Sequence, residues 1–221
     1  MRPRGWAAPH ADVILPRAFY DRPTLDVARD LLGKVLVHRR AGVDTSGVIV
    51  EVEAYIGEDD PACHAAPGRT KRNAPLYGPP GFAYVYLNYG IHNLVNAVTE
   101  PLDSPAAVLI RALDPLDGIA TMRRRRARAT KGRRTRTSAD LPDAALCRGP
   151  GNLTMAMGIT LEDNGLDLTR SRLFIDDRGI DVGPIEWGGR IGIRVGTEHP
   201  WRAWVAGREA VSAQMQKAKR R

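Results

Sequence analysis

The sequence predicts a mixed α/β protein, a single domain in which antiparallel strands form a sheet and a few helices pack beside it. Three observations predict it. At 221 residues and 43% hydrophobic composition, the chain is long enough for a real core and short enough for one domain. Apolar residues recur at helical spacing in only a few stretches. Between those stretches lie alternating β-branched and aromatic runs joined by turns, the pattern of hairpins.

The first helix is predicted in DRPTLDVARDLLGK, residues 21–34. Pro23 and Thr24 open it, Leu25, Val27, Leu31 and Leu32 make its apolar face, and Gly33 closes it. Two strands follow, VLVHRR and VIVEVEAY, joined by the turn AGVDTSG, so the chain opens as α-β-β. The next segment, residues 57–81, is too rich in Pro, Gly and charge for a regular element, and a loop of that length inside a compact domain is usually functional or disordered. FAYVYLNYG and IHNLVNAVTE then read as strands joined at Tyr89-Gly90, and AAVLIRALDP as a central strand. These three are expected in one sheet with the opening hairpin.

PLDGIATMRRRRARA begins with Asp and ends in arginines, the charge order that a helix dipole favours. It continues into TKGRRTRTSADLPD, read as a solvated helix end and mobile loop in preference to a specific DNA contact. AALCRGPGNLTMAMGIT reads as a further helix interrupted at residues 149–151, and RLFIDD, RIGIRVG and RAWVAG as short strands. The single domain spans residues 1–221, with residues 1–15 and 214–221 expected to fray.

Thirty-three Lys and Arg stand against 25 Asp and Glu, a net charge of +8. That balance suggests a polyanionic partner, nucleic acid first and an anionic membrane surface second, with a generally basic proteome as the bland alternative. Cys63 and Cys147 stand far apart with no second Cys near either, which indicates neither a disulfide framework nor a zinc ribbon and suits a reducing, intracellular setting. The N-terminus lacks an apolar signal region and no run approaches a membrane span, so no membrane association and no export are expected.

The chemistry is concentrated around residues 48–55, VIVEVEAY. On a strand, Glu51, Glu53 and Tyr55 share one face, and Glu58, Asp59 and Asp60 follow. The acids are compatible with a divalent metal site for phosphodiester cleavage, with one carboxylate acting as general base on water, or with a solvated strand edge. Tyr84 and Tyr86 share a strand face, whereas Tyr89 sits at a hairpin tip, where a ring can act as a wedge between base pairs. His64, in a loop with Arg69, Lys71 and Arg72 downstream, lacks zinc-ligand spacing but could wall a slot for a flat base together with Tyr55 and Tyr86.

Six blocks in series, LLGKVLVHR, VEVEAYIGEDDPACHA, GRTKRNAPLYGPPGFAYVYLNYGIHNLVNAV, VLIRALDPLDG, GPGNLTMAMGI and RIGIRVG, resemble the alkyladenine (methylpurine) DNA glycosylase family over residues 16–212. The resemblance implies a curved antiparallel sheet flanked by helices, with a β-hairpin projecting into DNA. It implies that Glu53 activates the attacking water, that Arg111 helps hold that water, and that the backbone carbonyl of Ile191 binds it. Tyr55, His64 and Tyr86 would stack the flipped base, Asn96 would exclude guanine by its exocyclic amine, and Tyr89 would intercalate. Arg69 and Arg72 would contact the DNA backbone.

The expected activity is hydrolytic removal of alkylated purines of the 3-methyladenine type from double-stranded DNA, by a monomer that needs no metal and no cofactor. The motif has no Lys to form a Schiff base, so the strand is expected to stay intact. A metal-dependent nuclease and a noncatalytic nucleic-acid-binding module are the rival classes. Two features depart from the family pattern: the strongly basic residues 123–136, and Glu209-Ala210 where a Pro-Trp pair is frequent.

Overall fold

The run at residues 48–55 is the second part of a longer strand, Val43–Ile56, and the sheet is built on both edges of that strand. The computed structural model describes residues 13–129 and 141–212. In chain order these form β1 (Val13–Ile14), α1 (Arg17–Tyr20), α2 (Thr24–Leu31), β2 (Val35–Arg40), β3 (Val43–Ile56), β4 (Ala83–Asn88), β5 (His92–Val98), β6 (Ala106–Asp117), α3 (Ile119–Ala129), α4 (Pro150–Met157), β7 (Leu173–Asp177), β8 (Ile185–Gly188) and β9 (Arg202–Val205). The strands make one antiparallel sheet ordered β1-β7-β2-β3-β6-β5-β4. β6 runs along one edge of β3, while β2 and then β9 take the other, and β8 pairs with β9.

β3 starts at Val43, so the turn after β2 is only Ala41-Gly42 and not the seven polar residues expected. Both turn residues have positive φ, 53° and 72°, the geometry of a two-residue hairpin whose twist matches its strands. Asp44, Thr45 and Ser46 look loop-like in sequence but lie in the ladder, where Ser46 Oγ donates to Asp117 at 2.7 Å. At Gly47, where the register with β6 shifts, a Cβ would come within 2.8 Å of the Leu113 Cβ, so a side chain there would push the strands apart.

The core packs Leu31 of α2, Leu153 and Met157 of α4, and Ile49, Val50 and Ile110 of β3 and β6. α4 starts at Pro150, with Gly149 at φ 85° as its cap. Gly149-Pro150 therefore begins a helix instead of interrupting one, as suits a Pro in the first helical turn.

The arginines of α3, expected to be solvated, are structural at three positions. Arg123 donates to the Leu141 carbonyl, Arg126 to Leu146, and Arg125 to Ala156 and Met157 at the end of α4. Carbonyls at a helix C-terminus lack intrahelical donors and carry partial negative charge, which draws Arg125 inward, while Arg123 and Arg126 bond carbonyls of the segment before α4. Residues 130–140 of the basic stretch, the N-terminal residues 1–12 and the tail from 213 lie outside the described residues. Residues 13–15, expected to fray, join the sheet: β1 pairs with β7 and the Leu15 amide donates to Ile175.

RIGIRVG is not a strand; Gly192 and Gly196 take φ of 82° and 61°, and the segment crosses β3 as a loop. The strand of this region is β8, five residues earlier. Among the described residues no helix is long and apolar enough to cross a membrane.

Asp163 is a buried carboxylate that tests the packing around the end of α4. It accepts from the Thr160 amide at 2.8 Å and from Arg172 at 2.7 and 2.9 Å, with His38 Nε2 at 3.5 Å. Burial alone would raise its carboxyl, but His38, the Thr160 amide and Arg172 outweigh that and bring it down to about 2. A carboxyl depressed in the fold stabilises it above the unfolded value near ~3.9, and that contribution is lost as pH falls through about 2. Asp163→Asn is expected to lose about 2 kcal/mol in denaturant titrations at pH 7, with the gap to the wild type closing between about pH 4 and pH 2. A gap independent of pH would contradict this.

Candidate active site

Glu53 and Arg111 are neighbours because β3 and β6 change register together. Ile49 pairs with Leu113, Glu51 with Ala112 and Val52 with Ile110, which leaves Val50 on one strand and Arg111 on the other without a ladder partner. Bulges re-aim side chains, and here Arg111 is aimed at both acids. Its Nε donates to Glu51 Oε1 at 3.0 Å, and its Nη1 lies 3.1 Å from Glu53 Oε2.

Both acids are fully buried, which rules out the solvated edge for either. Glu53 Oε1 accepts from the Ile191 amide at 2.6 Å, and Oε2 from the Tyr55 hydroxyl at 2.9 Å. Ile191 therefore reaches the acid through its N–H, a contact the sequence did not indicate. Glu51 takes a second arginine, Arg202, at 3.3 Å, and the Ser212 amide at 2.7 Å. Burial would lower the Arg111 guanidinium, but the charges of Glu53 and Glu51 outweigh it and raise it, so it remains a cation.

Tyr55, His64, Tyr86, Asn96, Arg111 and Ile191 all line one cavity of about 400 Å³, within the size range of small-molecule sites. The His64 and Tyr86 rings lie 4.4 Å apart at 67°, and Tyr84 holds His64 Nδ1 through its hydroxyl at 2.9 Å. Burial, helped by Arg72, lowers His64, and burial raises Tyr55, Tyr86 and Tyr84, the last to about 12. The aromatic walls are therefore uncharged at neutral pH, as π-stacking surfaces require, and Arg111 lines the same cavity as a cation. Asn96 donates its amide to the Tyr84 carbonyl at 2.9 Å, which fixes the side chain at the cavity wall.

Tyr89 caps the β4–β5 hairpin at φ 48°, with Gly90 at 68°, and its ring is 85% exposed. It also lines the cavity mouth, and Ile91 beside it is 70% exposed. Two adjacent apolar side chains in water at a hairpin tip are poorly explained by folding. Arg72 donates to the Leu87 carbonyl of β4 at 3.4 Å, which ties it to the hairpin. Arg69 lies farther off, over the Tyr77 ring and 3.3 Å from Asp103.

Arg190 opens the RIGIRVG block, but no local pattern assigns it a role. It is buried, donates to Asp60 at 2.6 and 2.8 Å and to the carbonyls of Ala54 and Gly196, and lies between the rings of Tyr55 (4.7 Å) and Trp201 (5.1 Å). It anchors the loop that carries Ile191 to the strand that carries Glu53. Its partner Asp60 stands 130 positions away, so no local pattern could reveal the pair. Glu58, another of the clustered acids, accepts from Tyr77 at 2.6 Å. Among the described residues, no group of three or more His, Cys, Asp or Glu is placed to hold a metal ion.

Comparison with known proteins agrees with this geometry. The chain is 45% identical over 213 residues to a protein of Burkholderia lata named "Putative 3-methyladenine DNA glycosylase", covering 95% of this chain and 96% of that one. A protein of the same name from Methanocella arvoryzae is 47% identical over 192 residues, 86% of this chain and 90% of its own. The sequence profile described as methylpurine-DNA glycosylase matches residues 18–209, so the chain belongs to the methylpurine-DNA glycosylase family.

Proposed function

We propose that the protein excises alkylated purines of the 3-methyladenine type from duplex DNA by hydrolysing their N-glycosidic bond. The observation that carries the reading is a buried carboxylate, Glu53, held by Arg111, Tyr55 and the Ile191 amide beside a cavity with neutral aromatic walls whose mouth bears an exposed Tyr. A damaged base leaves the helix and enters between Tyr55 on one side and His64 and Tyr86 on the other; Tyr89 fills the gap it leaves.

Glu53 takes a proton from a water that Arg111 and the Ile191 backbone help to hold. The water oxygen bonds to the anomeric carbon as the glycosidic bond breaks and its electron pair leaves with the base. Positive charge grows on the sugar in that step, and the carboxylate stabilises it. An alkylated purine is often cationic, which suits both its departure and its contact with ring faces. Asn96 at the wall screens the exocyclic group of the base, and Arg72 and Arg69 meet phosphates. The product is a free base and an abasic site in an unbroken strand, formed by a monomer without a cofactor.

A metal-dependent nuclease would need Glu51, Glu53 and the acids after them as ligands. Here Glu51 faces Arg111 and Arg202, Glu53 faces Arg111, and Asp60 is paired with Arg190. This cationic surround favours the glycosylase reading.

Methylated duplex DNA incubated with the protein and excess chelator should yield free methylpurine and a strand that breaks only on alkali treatment. Direct strand scission abolished by chelator would point to the nuclease, and binding with no released base to a noncatalytic module. Tyr89→Ala should slow excision from duplex at least about tenfold, since unstacking a base costs a few kcal/mol, yet leave the melting temperature unchanged because the ring is exposed. Unchanged excision would remove the wedge role.

A further inference from the structure

Glu51 has no part in the reaction proposed above, yet it is fully buried and collects more charged partners than a strand residue needs for folding. Arg111 straddles the two acids, Nε on Glu51 at 3.0 Å and Nη1 on Glu53 at 3.1 Å, and does not close its fork on one carboxylate as a free Arg–carboxylate pair prefers. Arg202, stacked on Trp204 at 4.2 Å, donates to the same Glu51 oxygen as Arg111, and the Ser212 amide donates to the other.

We infer that Glu51 is a positioning residue that divides the guanidinium of Arg111 between two carboxylates, and thereby leaves Glu53 available to take the proton from water. This rests on the glycosylase reading. Glu53 is contacted by Tyr55 from β3, Arg111 from β6 and the Ile191 amide from the loop; the charges of Arg202 from β9 and Arg190 from the loop and the Tyr86 phenol from β4 couple to it electrostatically, and Glu51 from β3 shares Arg111 with it. Arg190 is matched by Asp60. The remaining two acids and two arginines balance only while Glu51 is ionised. Without its charge, Arg111 and Arg202 would both act on Glu53, an opposite charge would hold that carboxylate more strongly in its ionised form, and it would become a weaker base.

The test is single-turnover excision from methylated duplex across pH for the wild type, Glu51→Gln, Arg202→Gln and the double variant. Glu51→Gln should move the acid limb to lower pH by about one unit and lower the plateau rate about threefold or more. Arg202→Gln should move the limb the opposite way, and the double variant, with the charge count restored, should return toward the wild type. A purely structural role predicts lower rates with an unmoved limb and a double variant worse than either single one, and that pattern overturns the inference. If Glu51→Gln does not fold, the direction of the Arg202→Gln limb decides. A wild type that releases no base sinks both the glycosylase reading and this inference; base release with coincident limbs sinks this inference alone.

Discussion

Much of the structure turns on one guanidinium placed inside the protein between two carboxylates. A lone charge in a core is costly, and even a paired one returns its desolvation cost only when the geometry is good and every remaining polar atom finds a partner. Arg111 gains two carboxylate partners through the offset between β3 and β6: Val50 and Arg111 are left out of the ladder on opposite strands. β9 pairs with the second half of β3 and brings Arg202 to Glu51, and the Ser212 amide serves the other oxygen. The sheet order around β3 is thus also the assembly of the charge cluster.

A second buried ion pair ties the loop after β8 to this frame. Arg190 joins Asp60, the Ala54 carbonyl between Glu53 and Tyr55, and the Gly196 carbonyl, while its planar face lies on Tyr55. Arg suits this position because it can stack and donate in several directions at once; Lys cannot. With one side of Tyr55 on Arg190, this wall of the cavity is held by packing within the protein itself. Preorganisation of that kind lets binding energy go into the reaction and not into ordering the site.

What was legible in the sequence is what local pattern controls. The strand alternation of residues 48–55, the hairpin at Tyr89-Gly90 and the helix after Pro23 follow from periodicity and turn chemistry, and the structure has each of them. Tyr55, His64, Tyr86 and Asn96 were singled out together, and they line one cavity. The misses are nonlocal. Asp44 to Ser46 read as a turn because their polarity is satisfied only by a partner strand; RIGIRVG alternates like a strand, yet its glycines bend it and its Ile191 amide is taken by Glu53. In sequence Glu51 is compatible with a metal site, a general base or a solvated edge, and only Arg202, far along the chain, shows it paired with two arginines. The arginines of α3 read as a solvated run because their partners are distant carbonyls: those at the end of α4 for Arg125, and those of Leu141 and Leu146 for Arg123 and Arg126.

The account centres on Glu53 as the group that removes a proton from water. Glu53→Gln is nearly isosteric, and an amide oxygen can still accept from the Ile191 amide. The direct measurement is single-turnover release of free base from methylated duplex by this variant, with duplex affinity determined in the same buffer. The prediction is a fall in rate of at least about 10²-fold, the low end for loss of a general base, with affinity nearly unchanged. Excision within tenfold of the wild type would contradict the claim that this carboxylate activates the water.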